Sequence, residues 1–84
     1  MKAVTYSREA AKTLRRIPAN TRQVLVGKIE QYAAKPESLA NNVKALKGSP
    51  GHLRLRVGNW RIIFREDSAV VAVMKVAPRG GAYD

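Results

Sequence analysis

Residues 53–64 read Leu-Arg-Leu-Arg-Val-Gly-Asn-Trp-Arg-Ile-Ile-Phe, two alternating runs hinged on Gly58-Asn59. A Gly-Asn pair between such runs is a two-residue hairpin turn, and a turn of that length leaves a single register. Val57 faces Trp60, Arg56 faces Arg61, Leu55 faces Ile62, Arg54 faces Ile63, Leu53 faces Phe64 and His52 faces Arg65. Directly opposed residues share a face of the sheet. One face is therefore wholly apolar and needs a cover. The other collects His52, Arg54, Arg56, Arg61 and Arg65, with Ile63 among them. A slip of one residue would drive arginines into the core, so the register is strongly specified.

The cover is found upstream. Lys2 to Tyr6 reads as a short strand, with Val4 and Tyr6 at period two. Ser7 is a candidate N-cap for a helix carrying Ala10, Leu14 and Ile17 at helical spacing, which Pro18 ends. Asn20, with Gln23 three residues on, is expected to cap a second helix whose stripe is Leu25, Ile29 and Tyr32. Pro36 pushes Lys35 out of helical geometry and closes it. Gly27 either weakens that helix or permits a close contact. Residues 36–51 read as a connector rich in turn signals, and a third strand follows at about 70–76. The expectation is one α+β domain over residues 1–84: a short N-terminal strand, an αα-hairpin, and a three-stranded antiparallel meander with the helices on one face.

Composition narrows the function. Sixteen Lys and Arg against six Asp and Glu leave a net charge of +10, which calls for a polyanionic partner. The chain has no cysteine and a single histidine, so thiolate metal sites are excluded and a protein-built zinc site is disfavoured. No metal and no cofactor are expected. There is no membrane-length apolar run and no signal-peptide pattern, and a reducing cytoplasm suits the composition. Two readings of the arginine face stand open. A solvated strand face is commonly charged, and arginine stems cover apolar surface. Alternatively the face binds phosphate, whose paired oxygens a guanidinium fork grips. Arg56 opposite Arg61 is a destabilising like-charge pair with no carboxylate close in sequence, which a merely solvated face has no reason to carry.

The stretch Leu53 to Phe64 resembles the "R-L-R-V-G-D-[YW]-R-[IV]-[IL]-[YF]" core of the RelE/ParE superfamily, toxin components of bacterial type II toxin–antitoxin systems. Val43-Lys44-Ala45-Leu46-Lys47-Gly48 is similar to the family's "v-K-x-L-x-G" lead-in, and Val76-Ala77-Pro78-Arg79 with Tyr83 to its closing "v-x-H-R-x-x-x-Y". The likeness spans the chain and leans to the RelE branch. It implies a toxin that enters the ribosomal A site and cuts mRNA without a metal, the ribose 2′-hydroxyl attacking the adjacent phosphate. Carried over by position, Arg61 stabilises the transition state, Arg54 and Arg79 contact the reacting phosphate, and Tyr83 stacks on a base or accepts a proton. Arg56, Lys44, Lys47, His52 and Arg65 are the expected RNA-backbone contacts. Trp60 goes to the core by parity.

The chain departs from the pattern at Pro78, where many relatives have His, and at His52, where some have a second Lys. The alternatives are a ParE-like inhibitor of DNA gyrase that acts by binding protein, and an inactive RelE-fold protein that only binds antitoxin. All three imply an acidic antitoxin partner. None assigns sequence-specific DNA reading to this chain.

Overall fold

The computed structural model describes residues 1–80. In chain order it contains β1 (Ala3–Tyr6), α1 (Arg8–Arg16), α2 (Ala19–Ala34), a 3-10 segment (Pro36–Asn42), β2 (Val43–Ala45), β3 (Leu53–Val57), β4 (Trp60–Glu66) and β5 (Val70–Pro78). The strands form one five-stranded sheet in the order β1-β5-β4-β3-β2.

The β3–β4 register is the one that the turn dictates: Val57 opposes Trp60, Arg56 opposes Arg61, Leu55 opposes Ile62, Arg54 opposes Ile63 and Leu53 opposes Phe64. Gly58 adopts φ 57° while no non-glycine residue among the described ones, Asn59 included, has positive φ, which is the pattern of a II′ hairpin turn. The apolar face meets the helices as expected. Leu55, Ile62, Phe64, Val71, Val73 and Val76 pack against Ala10 and Leu14 of α1 and against Leu25, Ile29, Tyr32 and Ala33 of α2. Trp60 joins the edge of this core. The Tyr32 ring meets Phe64 edge-on at 4.9 Å between centroids, a favoured aromatic geometry.

Two features differ from the sequence expectation, and a third observation decides between the two readings of Gly27. The meander has a fourth antiparallel strand, since β2 pairs with β3 through Val43–Leu55, Lys44–Arg54 and Ala45–Leu53, and β1 adds to β5 in parallel. A three-residue strand is too short to show alternation, and its partner is chosen by tertiary contact. Asn20 does not cap α2. The helix starts at Ala19 behind Pro18, whose carbonyl accepts from the Arg22 N–H, and the Asn20 Oδ1 accepts only from the Thr21 N–H at 2.9 Å. Proline needs no N–H partner at a helix start, so Pro18 both ends α1 and opens α2. Gly27 is exposed, and a Cβ there would meet nothing within 4 Å, so no close contact requires it.

Ser7 caps α1, its Oγ accepting from the Ala10 N–H at 3.0 Å. The same hydroxyl donates to the Met74 carbonyl at 2.6 Å, beside the irregularity that shifts the β4–β5 register between Ile63 and Phe64. The bulge inverts the alternation of β5, so that Val73 before it and Val76 after it both reach the core while Ile63 pairs with Lys75 and Phe64 with Val73.

Glu66 joins the N-terminus to the far end of β4. Its carboxylate accepts from the Lys2 Nζ at 2.7 Å and from the Tyr32 hydroxyl at 2.5 Å. Burial pushes the carboxyl up, but the bonds from Lys2 and Tyr32 outweigh it and hold Glu66 below its ordinary value. Burial, and then the bond to Glu66, push the Tyr32 phenol well up.

Two predictions follow from these positions. Gly27→Ala should raise stability by about 0.5–1 kcal/mol in urea denaturation, because α2 gains helix propensity and nothing is displaced. Because the folded-state pKa of Glu66 is lowered, its stabilisation is complete above the unfolded value of about 4.3 and is lost as pH falls through the folded value. Glu66→Gln should therefore lower stability at pH 7 by roughly 1–3 kcal/mol and flatten the acid limb of the stability–pH curve.

Candidate RNA-binding groove

On the sheet face away from the helices, a groove of about 340 Å³ is lined by Asn41, Asn42, Lys44, Arg54, Arg56, Arg61 and Arg79. Each cation reaches it for a local reason. Arg54 and Arg56 alternate with Leu53, Leu55 and Val57 along β3, so burying the leucines turns both arginines the other way. Lys44 lies opposite Arg54 on β2, and Arg61 opposite Arg56 on β4. Arg79 follows the end of β5 and is held against the hairpin tip by its N–H, which donates to the Asn59 carbonyl at 2.6 Å. Five positive charges and two amides thus share one concavity, and none of the described residues that line it is a carboxylate.

Arg61 is the buried member of the arginine face, on which Arg54 is half-buried and Arg56 exposed. It is 8% exposed, and its Nη1 donates to the Gly58 and Trp60 carbonyls at 3.0 Å each. The side chain therefore braces the turn as well as lining the groove. Beside it, Ile63 and Ala77 are also buried, at 1% and 6% exposure, so the middle of this face is closed. Ile63 lies in register between Arg54 and Lys75.

The expected site residues divide. Arg54, Arg56, Arg61, Arg79 and Lys44 come together in the groove, whereas Lys47, His52 and Arg65 are not part of its lining. Lys47 is exposed in the turn before Gly48. Half-buried His52 precedes β3, with its N–H on the Ser49 carbonyl and a buried Nδ1 that has no hydrogen-bond partner among the described residues. Arg65 is exposed and lines a separate depression with Glu66, Asp67, Val70, Ala72 and Met74. Tyr83 lies outside the described residues.

Sequence reasoning passed over Asn41 and Asn42, which read only as a turn signal. Asn42 donates its Nδ2 to the Arg56 carbonyl at 3.3 Å, tying the 3-10 segment to β3. Among the described residues no group of three or more His, Cys, Asp or Glu is placed to hold a metal ion, and no helix is long and apolar enough to cross a membrane.

A parallel β1, a helical hairpin and an antiparallel meander with a cationic outer face define a RelE-like toxin fold. The archaeal RelE–RelB complex from Pyrococcus horikoshii OT3 is similar at a TM-score of 0.77 and 22% identity, over 96% of this chain and 98% of that one. The intact Escherichia coli RelBE toxin–antitoxin complex is similar at 0.76 and 20%, over 93% and 96%. The RelBE2 complex from Mycobacterium tuberculosis is similar at 0.72 and 20%, over 93% and 98%. No curated protein sequence matches the chain. The family model for the ParE toxin of type II toxin–antitoxin systems, parDE, matches residues 4–83. The chain belongs to that family, within the RelE/ParE superfamily, and is a toxin of a type II toxin–antitoxin system.

The position of Arg61 separates two substitutions. Arg61→Ala strands two turn carbonyls and should cost roughly 1–3 kcal/mol. Arg56→Gln relieves the like-charge pair across β3 and β4 and should be neutral or stabilising by up to about 1 kcal/mol. Thermal unfolding of the two variants side by side measures both.

Proposed function

We propose that the groove binds the backbone of a messenger RNA and promotes its cleavage without a metal, halting translation at the ribosomal A site. The observation that carries this reading is the convergence of Lys44, Arg54, Arg56, Arg61 and Arg79 on one concavity, with no carboxylate among the described residues that line it. Such a set repels a divalent cation and attracts phosphate. The chemistry suits it because the nucleophile belongs to the RNA. The ribose 2′-oxygen forms a bond to phosphorus as the bond to the 5′-oxygen breaks, leaving a 2′,3′-cyclic phosphate and a 5′-hydroxyl.

The protein's share is to hold the strand in line for attack and to stabilise the extra charge on the phosphorane. Arg54 and Arg61 face the reacting phosphate in this scheme. Arg56 and Lys44 hold the neighbouring backbone, and Arg79 stabilises the leaving oxygen from the hairpin tip. Tyr83 stacks on the splayed base or takes the 2′-proton, the latter requiring that the arginines favour phenolate over a phenol of ordinary pKa near 10. An acidic antitoxin covering the groove would neutralise the toxin and relieve the Arg56–Arg61 repulsion. The RelE–RelB complexes of similar fold support such a partner.

The ParE family match favours a second reading, binding and poisoning of DNA gyrase. Induction of the protein in cells with mapping of mRNA 5′ ends separates the two. Cuts within translated codons are expected, falling by about 100-fold or more in Arg54→Ala and Arg79→Ala. Intact messages with gyrase-linked double-strand breaks would establish the second reading, and normal growth with neither would make the chain an inactive antitoxin binder.

A further inference from the structure

Two of the residues that line the groove, Asn41 and Asn42, carry no charge, and gripping phosphate gives them nothing to do. They end the 3-10 segment and stand on the β2 side of the groove, with β3 and β4 between them and Arg79 at the end of β5. Asn42 is half-buried, and its Nδ2 donates to the Arg56 carbonyl at 3.3 Å. That bond fixes which way the carboxamide is turned. The nitrogen end is engaged on β3, and Oδ1 accepts from no other described residue. Asn41 is exposed, and its side chain has no hydrogen-bond partner among the described residues.

The two amides differ in kind from the rest of the lining. Lysine and arginine side chains only donate hydrogen bonds. Among the described residues that line the groove, Asn41 and Asn42 therefore hold the only side-chain acceptors. Phosphate contacts position a strand without reading it, and sequence in a single strand is read at the edges of unstacked bases. A base edge that presents a keto oxygen finds a donor in any of the cations. An exocyclic amino group meets donor against donor everywhere except at the amides.

We infer that Asn42 reads a base of the RNA in the groove and selects adenine or cytosine, an inference that rests on the RNA-cleaving reading for its ligand. Both bases carry on the Watson–Crick edge an exocyclic amino group beside a ring nitrogen that accepts. Asn42 Oδ1 accepts from the amino group, and the second Nδ2 hydrogen donates to the ring nitrogen, the paired contact by which a carboxamide recognises adenine. Turning the amide over to suit a keto base would break the bond to Arg56. The pinned orientation is what makes Asn42 selective. Asn41 has no such bond, so it can turn either way and adds no preference.

The test is fluorescence anisotropy with the full chain and oligouridines of about eight nucleotides that carry one central adenosine, cytidine, inosine or purine riboside. The adenosine and cytidine strands should bind about tenfold tighter than the inosine, purine riboside and all-uridine strands. Purine riboside is adenosine without its amino group, so this comparison needs no variant and stands whether or not a substitution folds. Asn42→Leu should bring all the strands within about twofold of one another. Asn42→Asp loses the donor to Arg56 but keeps the acceptor, so it should bind every strand more weakly and retain the preference for amino bases. Asn41→Ala should leave the preference unchanged, and Arg54→Ala should weaken all strands by one common factor.

Equal affinity of the wild-type chain for every strand, or a preference that survives Asn42→Leu, would overturn the base assignment and leave the groove an RNA site. So would identical behaviour of Asn42→Asp and Asn42→Leu, since Asn42 would then serve only to tie the 3-10 segment to β3. Failure to bind any strand would bring down the groove reading itself, and the base assignment with it. A chain that shows the preference but cuts no message would lose the cleavage reading and keep the base assignment.

Discussion

The two-residue turn at Gly58-Asn59 is the constraint on which the rest of the molecule hangs. It leaves one register between β3 and β4, and in that register every large apolar residue of the hairpin except Ile63 shares one face. Burial of that face against α1 and α2 provides the main driving force for folding, at about 25 cal/mol per Å² of apolar surface. The arginines are carried to the other face by the same event. The cationic groove is thus the outer side of the hydrophobic core, and neither can be built without the other.

Positive charge is concentrated at a cost to stability, and the fold meets that cost in distinct ways. Arg61 gives its Nη1 to two turn carbonyls, so one member of the like-charge pair contributes to the turn that places it. Arg56 has no such support and is exposed. The carboxylate most strongly engaged, Glu66, is spent at the opposite end of β4 on Lys2 and Tyr32. That carboxylate is thereby held away from the groove.

Much of this was legible in the residue pattern because alternation and helical periodicity are local and cannot be misread at this length. The register, the inward course of Trp60, the Ser7 cap and the union of Arg54, Arg56 and Arg61 all follow from parity and spacing. What escaped was non-local or too short. β2 carries three residues, and only their pairing with Leu55, Arg54 and Leu53 of β3 makes it a strand. Asn41 and Asn42 reach the groove because the 3-10 segment folds back along β3. His52 and Arg65 looked like members of the face, but they stand at the ends of their strands, beyond the concavity that the hairpin tip and Arg79 complete.

The amino-acid order alone determined which side chains could be buried together and which had to face away, since that depends on turn length and on the two-residue period of a strand. Tertiary structure decided how bare the outer face would be. Ile63 and Ala77 are closed off, and Arg61 is folded onto the turn. Those outcomes depend on which strands become neighbours, a choice made by packing across the whole sheet rather than by any one segment.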